Sequence, residues 1–181
     1  MTSAFAIRGY DFYYPALSFR NIRTYILTAL FVIGNIAFPY ACHAIPNGGK
    51  MFLPIFFFTL IGTYKFGWKT GLLTALASPL ANHFLYGMPA SAMLLDVVAK
   101  SLIMVLAVTL VTSKMNKLSF ISVTATVVLA QLLGSAFSFV LGNNLGHVYN
   151  SLQVSVPGLL VQVVIGYILL AALKDYGHKK S

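Results

Sequence analysis

Two residues of opposite charge, Asp96 and Lys100, stand four positions apart in a long apolar stretch. On a helix that spacing puts them on one face, acid before base, which is the favourable order for a pair. An acid at the centre of a membrane span costs about 2.5 to 3.5 kcal/mol on insertion scales, so Asp96 needs something to offset it. Either the pair is internal and fixes its helix within a bundle, or one partner faces an outward cavity and meets a polar ligand. Other polar groups recur near the ends of the apolar stretches: His43, Asn47 and Lys50; Asn82, His83 and Tyr86; Asn143, Asn144, His147, Tyr149 and Asn150; and Gln153. A histidine near a helix end can be interfacial or hydrogen-bonded as readily as it can contact a ligand. Asn143, Asn144 and Asn150 beside Gly142 and Gly146 can be loop formers, or a polar lid. Two histidines could instead ligate a haem iron, but nothing in the spacing of His43 and His83 fixes their separation.

Catalytic equipment is sparse. The chain has no HExxH, GxSxG, P-loop, paired intramembrane acids or repeated histidine motif, and Asp96 beside Lys100 suits neither metal-assisted nor nucleophilic chemistry. The lone Cys42 can form no intramolecular disulfide and belongs to no CxxC or His/Cys cluster. No enzyme activity, metal or cofactor is therefore expected, and any transport driven by ATP would draw on partner subunits.

The elements that must position these residues follow from composition. Of 181 residues, 59% are hydrophobic and 8% charged, with mean hydropathy +0.84, whereas soluble domains carry about a quarter charged residues. Such a chain cannot cover a water-facing surface. A span needs roughly 20 apolar residues, so the length allows six crossings with short connections. The expected fold is an all-α integral membrane bundle of six transmembrane helices: 22–44, 51–64, 70–86, 92–112, 118–141 and 152–173. Residues 1–21, rich in aromatics with Arg8, Asp11 and Arg20, read as an interfacial segment, 22–173 as the membrane domain and 174–181 as a polar tail. Pro46-Asn47-Gly48-Gly49 and Gly87-Met88-Pro89 supply turns, and Pro79 falls inside the third helix. The first apolar stretch, from after Arg23 to Cys42, is kept as a helix: Pro39-Tyr40-Ala41 fits a lipobox poorly and no AxA site follows.

The net charge of +9 would suggest a nucleic-acid partner in a soluble protein, but the basic residues here sit singly or in pairs between apolar stretches. Arg8, Arg20, Arg23, Lys65, Lys69, Lys114, Lys117, Lys174, Lys179 and Lys180 all fall on one side of the six-helix arrangement, with Lys50 opposite and Lys100 within a helix. The positive-inside rule then makes both termini cytoplasmic. It also puts the polar groups named above in the outer third of the bundle. On the first helix Ala29, Ala37 and Ala41 share a four-residue spacing interrupted by Ile33, with Gly34 beside it. Such a face suits close helix packing, within the bundle or against a separate membrane subunit.

Leu53-Pro54-Ile55-Phe56-Phe57-Phe58-Thr59-Leu60-Ile61-Gly62, then Phe66-Gly67-Trp68-Lys69-Thr70-Gly71, resembles the substrate-binding S components of energy-coupling factor (ECF) transporters. Ala77-Ser78-Pro79-Leu80 followed by Tyr86-Gly87-Met88-Pro89 is similar to a pattern of one vitamin-related branch. The resemblance is strongest over residues 50–100. It implies a six-helix bundle in a bacterial or archaeal cytoplasmic membrane, with an outward pocket built from the fourth to sixth helices and the outer loops. It also implies docking on a transmembrane coupling subunit driven by two cytoplasmic ATPases, and toppling in the membrane to carry a vitamin-like substrate inward. Carried over by position, His43, Asn47 and Lys50 become lid candidates, and Asn82, His83 and Tyr86 outer-rim candidates. Asp96, Lys100, Asn143, Asn144, His147 and Gln153 become pocket candidates, and Ala29, Ala37 and Ala41 docking candidates. Other classes compatible with the size and helix count are a cell-shape scaffold of the MreD type and a solitary small-molecule permease. Lys50, Lys100 and the histidines against one intramembrane acid lean towards an anionic ligand, and outer aromatics could stack on a ring.

Overall fold

The computed structural model describes residues 10–11, 17–42, 56–115, 117–142 and 144–173. Among them run six helices: α1 (Ile22–Cys42), α2 (Phe57–Phe66), α3 (Trp68–Tyr86), α4 (Ser91–Lys114), α5 (Phe120–Val140) and α6 (Leu145–Leu173). A two-residue antiparallel pairing of β1 (Tyr10–Asp11) with β2 (Lys117–Leu118) sets the N-terminal segment against the α4–α5 turn. Three stretches, Ser91–Lys114, Phe120–Val140 and Val148–Leu173, are long and apolar enough to cross a bilayer, and Ile22–Phe38 is a shorter apolar helix.

Burial is inverted relative to a soluble domain. Among the described residues sixteen polar or charged ones are buried beside eighteen hydrophobic ones, while Phe84 and Val140 are about 80% exposed. In the three long helices only about a third of the apolar window is buried. Water would penalise so large an apolar exterior, whereas hydrocarbon does not. Interior and exterior together are what a helical membrane protein requires.

The small hydroxyl residues explain how the helices approach. On α1, Thr24, Thr28, Phe31 and Asn35 are buried at spacings of three and four, while Ile22, Ile26, Leu30 and Ile33 face outward. Three threonines of α1, α2 and α3 return their hydroxyls to the preceding turn: Thr28 to the Thr24 carbonyl at 2.7 Å, Thr63 to the Thr59 carbonyl at 2.6 Å and Thr74 to the Thr70 carbonyl at 2.9 Å. Each thus presents a nearly apolar face to its neighbour.

α2 is the centre of the bundle: from Phe56 to Lys65 every residue but Phe58 is buried. It packs on α1, α3, α4 and α6, and its Tyr64 hydroxyl reaches the Ser122 carbonyl of α5 at 3.0 Å and the Thr126 hydroxyl at 2.5 Å. The buried Lys65 ammonium donates to the Leu173 carbonyl, satisfying a terminal acceptor of α6 where the helix dipole favours a cation. Gly67 alone joins α2 to α3, at φ +89° and ψ 170°, a conformation closed to residues with a Cβ. The connection expected between the helices at 51–64 and 70–86 is therefore a one-residue turn, with Lys65 inside α2 and Lys69 inside α3.

Among the boundaries that differ from expectation are the starts of α6 and α5. α6 begins at Leu145, not Leu152, because Leu145, Val148 and Leu152 continue the apolar spacing through the Asn- and Gly-rich stretch read as a loop. α5 begins at Phe120, where Ser119 caps the helix reciprocally with Ser122 at 3.0 Å in each direction.

Asn35 knots α1, α2 and α3 together: its amide donates to Ser78 Oγ at 2.9 Å and Thr59 Oγ1 at 3.3 Å, its carbonyl oxygen accepts from Phe58 N–H at 3.2 Å, and its own backbone carbonyl accepts from Asn82 at 3.0 Å. Replacing Asn35 with Leu is expected to lower stability by about 1 to 2 kcal/mol, because several partners lose their bonds at once. The check is thermal unfolding in detergent, with Thr124→Val, at an exposed hydroxyl-bearing site, as the comparison.

Candidate functional site

The apolar stretch of α4 carries Asp96 and Lys100 one turn apart, and the expected pair forms: Lys100 Nζ lies 2.7 Å from Asp96 Oδ2. The acid's second oxygen accepts from Ser138 Oγ of α5 at 2.5 Å. Asp96 thus has each oxygen answered, one by charge and one by a hydroxyl. The Lys100 and Asp96 side chains are 27% and 24% exposed, placing the pair at the border between interior and surface. Gly134 of α5 makes room for the lysine stem: a Cβ there would stand 3.2 Å from Lys100 Cγ.

Beside the lysine lies a small cavity of about 20 Å³, room for about one water molecule and well below the size of a small-molecule site. Its polar lining is Lys100 from α4, Gln131 from α5 and Gln162 from α6. Phe56, Met104, Val127 and Ala130 supply apolar walls, and Gly134 lies under the lysine. Gln131 Nε2 donates to Ser155 Oγ of α6 at 3.3 Å, tying the walls together. Gln162 is almost completely buried. A charge-compensated lysine, two carboxamides and an aromatic ring thus surround a space that fits about one water molecule. Among the described residues no three His, Cys, Asp or Glu side chains gather as metal ligands would.

The remaining sequence candidates are distributed elsewhere. Asn82 is buried between α1 and α3, its amide donating to the carbonyls of Asn35 and Ser78 at 3.0 Å each, so it belongs to the α1–α3 knot instead of an outer rim. His83 Nδ1 donates to the Pro89 carbonyl at 2.7 Å and holds the turn after α3. Tyr86 is exposed on the last turn of α3. Asn144 is exposed just before α6. Gln153 Nε2 donates to the Tyr149 hydroxyl at 3.0 Å along an exposed face of α6, Gln153 in the helix as expected and Tyr149 in helix where a loop was expected. His43, Asn47, Lys50 and Asn143 lie outside the described residues, as do the side chains of His147 and Ala41. Ala29 and Ala37 face outward on α1 and take no part in packing within the bundle.

Sequence reasoning missed Ser138, Gly134, Gln131, Gln162 and Phe56. Gln131 was open to discovery, as the one carboxamide in the apolar run of α5, and Gln162 stands alone within the last apolar turns of α6. No family model, curated protein or solved structure matches this chain.

Removing one partner of the ion pair should hurt more than removing both. Lys100→Met is expected to cost about 1 to 3 kcal/mol, less than a fully buried pair because of the partial exposure. Asp96→Asn combined with Lys100→Met should recover part of that loss, as measured by unfolding in a double-mutant cycle.

Proposed function

We propose that this chain is the substrate-binding membrane subunit of an ECF-type importer, taking up a vitamin or related micronutrient. The observation that supports this reading is the cluster of polar groups among α4, α5 and α6, the Asp96–Lys100 pair with Ser138 and, beside it, Gln131 and Gln162, inside otherwise apolar helices. Polar and ionised groups inside an apolar belt are expensive to keep and mark the place where a solute leaving water would be met.

The proposed topology is a six-span bundle in the cytoplasmic membrane with both termini on the cytoplasmic side. It is supported by charge: Arg20, Arg23, Lys65, Lys69 and Lys114 all stand at helix ends that meet at one end of the bundle, where Phe19 packs on Trp68 with centroids 5.8 Å apart and Lys65 meets Leu173. Asp96 and Ser138 mark the opposite end, which faces outward in this arrangement. Docking on a coupling subunit would use the outward face of α1, where Ala29 and Ala37 leave shallow gaps between Ile26, Leu30 and Ile33. Partner ATPases would supply the energy.

Native mass spectrometry of the gently purified chain is expected to find a stoichiometric, non-lipid solute of vitamin size. Protein that is repeatedly empty, with no thermal shift across a vitamin panel, would move the reading to a membrane scaffold. Uptake by the chain alone in liposomes would make it a solitary permease. Ala29→Leu with Ala37→Leu should reduce ATP-dependent uptake by the assembled complex at least tenfold while leaving solute binding within twofold.

A further inference from the structure

We propose that the end of the bundle formed by the start of α1 and the turn into α3 holds the headgroup phosphate of an anionic phospholipid, with one acyl chain laid along the outer face of α3. This requires only that the chain sit in a bilayer, and it is independent of the transport reading.

The site begins at the turn between α2 and α3. The Leu17 N–H donates to the Phe66 carbonyl at 3.1 Å, which fixes the residues before α1 against that turn. Phe19 then stands edge-on to Trp68 with ring centroids 5.8 Å apart, and both rings are exposed. Lys69 Nζ lies over the two of them, 5.4 Å from the centre of Phe19 and 5.8 Å from that of Trp68. The rings hold the ammonium through their quadrupoles and leave its N–H groups for a further acceptor. Arg20 follows Phe19 directly and Arg23 comes one turn later, both exposed.

These cations lack acidic partners. Among the described residues no ion pair answers Arg20, Arg23 or Lys69; the pair that forms is Asp96 with Lys100, at the opposite end of the bundle. The whole chain sets 12 Lys and Arg against 3 Asp and Glu. Lys65, by contrast, is buried and its ammonium serves the Leu173 carbonyl. Exposed cations grouped with exposed aromatic rings at helix ends suit the headgroup zone of a bilayer, and a phosphate there can accept from the arginine forks and the lysine together.

The neighbouring apolar surface favours a lipid over a soluble anion or an acidic protein. Trp68, Leu72, Leu76 and Leu80 recur every four residues along α3, with Trp68, Leu76 and Leu80 exposed and Leu72 half-buried. The stripe runs from the cations for about 18 Å at the helical rise. That is close to one leaflet, half of a hydrocarbon core of about 30 Å. A phosphate site continuous with a track of acyl-chain length matches both parts of a phospholipid, whereas a free phosphate would leave the track unused.

Trp68 is the chain's single tryptophan, so its fluorescence reports occupancy directly. The full-length chain in phosphatidylcholine nanodiscs can be given increasing fractions of phosphatidylglycerol or phosphatidylcholine with brominated, quenching chains. Brominated phosphatidylglycerol is expected to reach half-maximal quenching at a mole fraction at least fivefold lower than brominated phosphatidylcholine. Lys69→Gln, and separately Arg20→Gln with Arg23→Gln, should bring that ratio below twofold, while Lys69→Arg keeps it. Lys114→Gln, an equal charge change at an exposed site on the last turn of α4, should leave the ratio unchanged. If Lys69→Gln does not fold, the exposed arginine pair carries the same prediction. Excess inorganic phosphate should not relieve the quenching; relief would make this a soluble-anion site and overturn the lipid assignment. Equal quenching by the two lipids, or an equal loss in Lys114→Gln, also overturns it, the latter by reducing the preference to general surface charge. Equal quenching joined to loss of a co-purifying membrane subunit in Lys69→Gln would give the face to a protein interface instead.

Discussion

A polar group placed among membrane helices has no water to turn to, so another part of the chain must answer it. That constraint organises this bundle more than hydrophobic burial, which offers little when the solvent is itself hydrocarbon. Asn35 illustrates it: one side chain is answered from α2 and α3 together, and its backbone carbonyl from Asn82. Asp96 illustrates it again on the other side, answered by Lys100 and Ser138.

The two knots differ in a way that bears on function. Around Asn35 the donors and acceptors are closed on one another, hidden among α1, α2 and α3, and the arrangement reads as a fastening. Around Lys100 the polarity continues past the ion pair into a small cavity with two carboxamides on its wall. α2 joins the halves: Thr59 accepts from Asn35, Phe56 at the helix's entry lines the cavity, and Tyr64 bonds to α5. A change in how α4 to α6 close on a solute would therefore be felt by α2 and, through Asn35, by α1, whose outward face is the proposed docking surface.

The sequence made the ion pair legible because acid and base lie one helical turn apart on the same element. Ser138 was not legible, since a hydroxyl in an apolar run looks like any other small packing residue until its neighbour across the helix interface is known. Asn82 shows the same limit: its depth along α3 could be read, but its direction could not, because the helix carries no clear apolar stripe to orient it. The Asn- and Gly-rich stretch from 143 to 150 read as a loop from residue types alone, yet the apolar spacing of Leu145, Val148 and Leu152 prevailed and α6 begins at Leu145. Composition and apolar segment length sufficed for the three long helices. The polar cluster depends on contacts between α4, α5 and α6, which no single segment encodes.

The measurement that bears most directly on the proposed role is a density map of the chain isolated from its own membrane with its small-molecule content retained. Density for a compact solute among α4, α5 and α6, with Asp96 still paired to Lys100, is the predicted result. Side chains or a lipid tail alone between these helices, with a solute bound elsewhere or none at all, would contradict it.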